Sequence, residues 1–163
     1  MANRVVPFLN GLAVLFLQMI LSDFLTIRGL RPDFILIFVV YLSLRWGSLT
    51  GVVAGFTLGL VEDILSAGSL MGLAPLTKSL TGFLVGRLQG RYIRMSPVTF
   101  HAAWVGIMMA HFFIFIYVNY QSVFETNSSI FWKTYIFSAV YTFIFIGMFQ
   151  VIKPLSTIKP PAN

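Results

Sequence analysis

Residues 46–68 read WGSLTGVVAGFTLGLVEDILSAG. Gly47, Gly51, Gly55 and Gly59 recur at every fourth position of an otherwise apolar run, the next step of four lands on Asp63, and Glu62 sits beside it. Four residues advance an α-helix by about 400°, so these glycines trace a slowly spiralling stripe along one face. In water each would cost about 1 kcal/mol relative to alanine. In lipid a stripe of small residues lets a second helix come close and gain dispersion contacts. The stretch therefore predicts a membrane helix built to be packed against, with two carboxylates near its end.

Composition agrees. The chain has 163 residues, 58% hydrophobic and only 10% charged, too little polar surface for a water-soluble domain of this size. There are no cysteines, which excludes disulfides and thiol chemistry. The net charge of +6 is scattered around apolar runs, as an orientation signal would be, and not gathered into a nucleic-acid patch.

Apolar runs lie at Val5–Leu21, Phe34–Leu44, Leu49–Leu65, Leu70–Leu88, Val98–Val118 and Ile130–Ile152. Most approach the roughly 20 residues that span a bilayer core. The second is short, so it predicts either a re-entrant segment or a locally thinned region. The reading is an all-α, polytopic membrane protein with six transmembrane helices and both termini cytoplasmic. Residues 1–152 form one domain and residues 153–163 a short disordered tail. With that topology Arg4, Arg45, Arg87, Arg91, Arg94, Lys153 and Lys159 fall inside, and Arg28, Arg31 and Lys133 outside, as the positive-inside bias requires.

The fourth run carries a matching device, because Lys78, Gly82, Gly86 and Gly90 are again spaced by four. A short connection near Ala67–Met71 makes the third and fourth helices antiparallel neighbours, which brings Asp63 and Lys78 to similar depth. An intramembrane charge costs about 2.5–3.5 kcal/mol unless it is paired or faces a wet cavity. Glu62, Asp63 and Lys78 are therefore read as an intramembrane charge site in which Asp63 meets Lys78 with Glu62 nearby. Snorkelling of all three to the headgroups is the alternative. Gly47, Gly51, Gly55, Gly59, Gly82 and Gly86 are the helix-packing set.

The segment RGLRPDFILIF opens the second helix, where Pro32 and Asp33 suit a first turn and the positive end of the helix dipole. Arg28 and Arg31 run against the charge bias, so Arg28, Arg31 and Asp33 are candidate outer-face contacts for a partner. Simple solvation explains the arginines as well. His101 and His111, ten residues apart, sit about 80° out of alignment and are not read as a metal site. Gln18, Asn119 and Gln150 are read as polar glue between helices. No nucleophile stands beside the carboxylates, and neither a catalytic triad, HExxH nor a phosphate-binding loop is present. No catalytic residue, metal or cofactor is assigned.

RPDFILIFVVYLSLRWG followed by GFTLGLVEDILSAGSLMGLAPLTKSLTGFLVGRLQ resembles the rod shape-determining MreD family. The resemblance rests on Arg31-Pro32-Asp33, Asp63-Ile64-Leu65-Ser66, Met71-Gly72 and Gly86-Arg87-Leu88, and covers about residues 31–90. Ala67 stands where glycine is common in that family, and Glu62 where an apolar residue is usual. The resemblance implies a non-enzymatic scaffold of the bacterial cell-elongation complex in the inner membrane. Its direct partner would be MreC, with the MreB filament, RodA and its penicillin-binding transpeptidase in the same complex. It also implies a likeness to the substrate-binding subunits of energy-coupling-factor transporters, and the alternative function is such a small-molecule-binding subunit. Those subunits commonly carry Ala-x-x-x-Ala on the first helix, whereas here Ala13 is followed by Leu17.

Overall fold

The helix expected to be too short for a bilayer stands at the centre of the protein. The computed structural model describes residues 2–27, 29–65 and 70–158. Its elements are α1 (Ala2–Leu25), α2 (Phe34–Trp46), α3 (Ser48–Leu65), α4 (Leu73–Gly86), α5 (Pro97–Asn119), α6 (Gln121–Thr126) and α7 (Ser128–Ile152). Short 3-10 turns follow at Arg91–Ile93 and Leu155–Thr157. The described residues contain no strand beyond one isolated bridge between Ile27 and Leu30. The chain is all-α, as its composition predicts.

Helix α2 is apolar all round, which is the mark of a helix enclosed by protein. Phe34, Ile35, Leu36, Ile37, Val39, Val40, Leu42 and Leu44 are all buried, and α1, α3, α4 and α7 contact it. Its 13 residues span about 20 Å. Neighbouring helices cover it on its sides. Helices α3, α5 and α7 are each long and apolar enough to cross a membrane, and α2 and the Asn10–Leu21 part of α1 are shorter apolar segments.

The glycines of α3 face α4. Helix α3 buries only Gly51, Gly55, Gly59 and Asp63, and it packs most extensively against α4. A methyl group added at Gly55 would lie 2.5 Å from the Lys78 carbonyl oxygen, and one at Gly59 would lie 2.7 Å from the Pro75 nitrogen. Additions at Gly82 and Gly86 would strike the backbone of Gly51 and of Ser48. The two helices therefore touch backbone to backbone, in antiparallel register, along their whole length. Gly47 precedes α3 instead of lying in it. Its φ of +87°, easy only for glycine, ends α2 and leaves a single residue before α3 begins.

Three boundaries differ from the sequence reading. Helix α4 spans 14 residues, not the whole Leu70–Leu88 run. Gly72, at φ +100°, starts it. At the other end, Leu88 and Gln89 donate i→i+3 bonds to Val85 and Gly86, and the Gln89 side chain donates to the Arg45 carbonyl at 2.6 Å. Helix α6 was not expected; it is a single polar turn and a half between α5 and α7. Residues 153–158 are not a disordered tail: Leu155 is buried in the main core, and the Tyr41 hydroxyl donates to the Lys153 carbonyl at 2.9 Å. Proline at 154 and an apolar Leu155 together fold the chain back onto the bundle. Residues 159–163, Arg28 and Ser66 lie outside the described residues.

Candidate functional site: a buried ion-pair node beneath a cavity

The site is built around the first turn of α2. Every helix leaves its first N–H groups without intrahelical partners. Here the Asp33 carboxylate accepts from the Leu36 N–H at 2.7 Å as the N-cap. Gln18 on α1 adds two further bonds, donating to the Pro32 carbonyl at 3.1 Å and accepting from the Phe34 N–H at 2.8 Å. The Asp33 N–H donates to Thr142 on α7 at 3.2 Å. Three helices are thus tied together by polar groups that the apolar interior would otherwise leave unsatisfied.

Lys78, on α4, is 1% exposed. Its ammonium donates to Asp33 Oδ2 at 2.5 Å and lies 2.8 Å from Glu62 Oε2. The contact with Glu62 is an ion pair of hydrogen-bond length. The Phe115 ring, with its centroid 6.0 Å from the ammonium, adds a cation–π contact. Two carboxylates thus face one buried ammonium. Pairing of this kind is what makes intramembrane charge tolerable.

His111 on α5 completes the node. Its Nε2 lies 3.9 Å from Asp33 Oδ2 and its Nδ1 lies 3.2 Å from the Thr81 hydroxyl, while Phe115 stacks on the ring with 10° between planes. Above the node opens a cavity of about 750 Å³. Asp33, Glu62, His111, Phe115, Asn119 and Arg31 are among the residues that line it. This end of the bundle is opposite the one that carries Arg45, Arg87, Arg91, Arg94 and Lys153.

Of the expected charge site, the fold brings Glu62 and Lys78 together and adds Asp33. Asp63 has a different role. Its Oδ2 accepts from the Gly72 N–H at 2.7 Å, bracing the connection between α3 and α4. Neighbouring helical residues point about 100° apart, so Asp63 continues the glycine stripe toward the start of α4 while Glu62 turns to the bundle interior. Asp33, expected to meet a partner, is turned inward, with one oxygen on Leu36 and the other on Lys78. Arg31 is exposed and lines the cavity.

Sequence reasoning passed over His111, Thr81 and Thr142. The signal available for His111 was an ionisable side chain inside a 23-residue apolar helix, which is by default a candidate site residue. Among the described residues no group of three or more His, Asp or Glu side chains is arranged to hold a metal ion.

The model of one protein family, described as rod shape-determining protein MreD, matches residues 3–154. No curated protein sequence and no solved structure matches the chain.

Proposed function

Because this chain belongs to the MreD family of rod shape-determining proteins, we propose that it is a non-enzymatic scaffold of the bacterial cell-elongation machinery, bound directly to MreC. MreB, RodA and its transpeptidase belong to the same complex in this reading, and the protein sits in the inner membrane with six spans. The observation that carries it is a family match covering nearly all of the described fold. The geometry supports it. Backbone-tight packing of α3 on α4 and the polar node joining α2, α3, α4 and α5 give a stiff frame, and the large apolar side chains Val53, Phe56, Val61 and Ile64 on the far side of α3 remain exposed to lipid or to another span. The arginine-rich end takes the cytoplasmic side under the positive-inside rule, which leaves both termini in the cytoplasm and turns the cavity outward.

A small-molecule-binding subunit of an energy-coupling-factor-type transporter is the second reading, and the cavity favours it, because about 300–1,000 Å³ is the size of ordinary ligand sites. Affinity purification of the tagged full chain from its native membranes separates the two. MreC should be recovered in near-stoichiometric amount. Recovery of a transporter ATPase in place of MreC would overturn the scaffold reading.

A further inference from the structure

The end of the bundle opposite the node carries a surface that neither the ion pairs nor the glycine packing uses. We propose that it binds an anionic phospholipid without an amine, the chemistry of phosphatidylglycerol, with its phosphate on Arg87 and the neighbouring arginines and an acyl chain along α4. Helix α4 leaves Leu76, Leu80 and Phe83 exposed at steps of four and three, which is one face of a helix. Arg87 stands four residues further on and is exposed too, at the charged end of the same stripe. Its backbone is still helical, and its guanidinium lies 4.5 Å from the centroid of the Phe83 ring. An apolar strip that ends in a guanidinium matches a lipid, with methylenes along the strip and phosphate at the charge.

Three further arginines share that end. Arg45 lies in the last turn of α2, with its guanidinium 5.8 Å from the Trp46 ring, and Arg91 and Arg94 begin and close the 3-10 turn after α4. Two bonds hold these segments together: the Gln89 side chain donates to the Arg45 carbonyl at 2.6 Å, and the Ser48 hydroxyl donates to the Phe83 carbonyl at 3.0 Å. All four arginines are exposed, and none forms an ion pair among the described residues. Asp33, Glu62 and Asp63 lie at the other end of the bundle, and Glu125 is in α6, beyond the far end of α5. Guanidinium groups bind phosphate through paired N–H donors. With no carboxylate beside them they offer nothing to the amine of an ethanolamine or choline headgroup, so a headgroup whose only charge is its phosphate is favoured. A soluble phosphate would answer the arginines but not the apolar strip below them, which selects the lipid.

The test uses the full chain in mixed micelles with equal amounts of phosphatidylglycerol and phosphatidylcholine. Native mass spectrometry should show retained phosphatidylglycerol preferred about 25-fold, the contribution of two arginines at about fivefold each. Arg87→Gln should lower the preference about fivefold, and Arg87→Gln combined with Arg91→Gln should abolish it. Lys133→Gln removes the same charge from an exposed site near the start of α7, at the opposite end, and should leave the preference unchanged. Equal retention of the two lipids by the native chain overturns the proposal, as does a preference that survives the double substitution. An equal fall with Lys133→Gln overturns it too, because net charge alone would then explain the retention. Should the double variant fail to fold, the native chain decides through glycerophosphoglycerol, the same headgroup without acyl chains. That ester at equal concentration should leave the bound lipid in place. Its displacement of the lipid would show that the apolar strip contributes nothing and would overturn the lipid assignment.

Discussion

Gly55→Ala tests the contact on which the bundle depends. The new methyl group would lie 2.5 Å from the Lys78 carbonyl oxygen, 2.6 Å from its carbonyl carbon and 2.8 Å from the Ser79 nitrogen. Ordinary van der Waals contact begins near 3.4 Å, and every one of these neighbours is backbone, so no side chain can rotate out of the way. Helices α3 and α4 must part by about 1 Å, and a gap of that size forfeits a quarter to a half of the dispersion energy at each contact it opens. Overpacking of this kind costs about 1–3 kcal/mol, and rigid backbone on both sides puts Gly55 at the upper end. Alanine recovers about 1 kcal/mol of helix propensity, which leaves a net loss of about 2 kcal/mol. Gly106→Ala and Gly147→Ala are the controls, because nothing lies within 4 Å of a methyl group at either position. They should be neutral or stabilising by up to about 1 kcal/mol. Unfolding in mixed micelles followed by helical circular dichroism gives the comparison. If Gly55→Ala unfolds at the same denaturant fraction as Gly106→Ala, the close approach of α3 and α4 is refuted.

Lys78→Met keeps the length of the side chain and removes its charge, leaving Asp33 and Glu62 face to face. Loss of one partner from a buried ion pair costs about 3–5 kcal/mol, and Glu62→Gln should cost less because Lys78 keeps Asp33, so the same unfolding assay should rank the two in that order. Asp63→Ala strips the Gly72 N–H of its acceptor, worth about 1–3 kcal/mol, and hydrogen exchange should quicken at Gly72 while the Asp33 amide stays protected. Gln18→Leu leaves the Phe34 N–H and the Pro32 carbonyl without partners at a similar cost per group, read as faster exchange at Phe34. Unchanged exchange at Phe34 would show that Gln18 does not hold the start of α2.

Much of the bundle was legible because its signals are local. Apolar runs located helices α1 to α5 and α7, and spacing by four told which face of α3 must be approached closely. Gln18 could be read as glue from its isolation in an apolar helix. The ends of α4 were not legible, because a run of apolar residues continues past Gly86 while the backbone turns away to let Gln89 reach Arg45. The packing of Leu155 was hidden by a proline-containing polar context that normally marks a free tail.

The charge site shows the division most sharply. The amino-acid order alone determined that Glu62, Asp63 and Lys78 would lie at one end of an α3–α4 hairpin, since helical rise and a short connection set depth. It could not decide which carboxylate meets the ammonium, because that depends on the direction each side chain takes once α2 fills the centre. Asp33, 45 residues from Lys78, enters the pair only because α2 is surrounded by the other helices. Periodicity along the chain fixes faces and depths. Partners across the bundle are chosen by the mutual exclusion of side chains in three dimensions, which no one-dimensional pattern records.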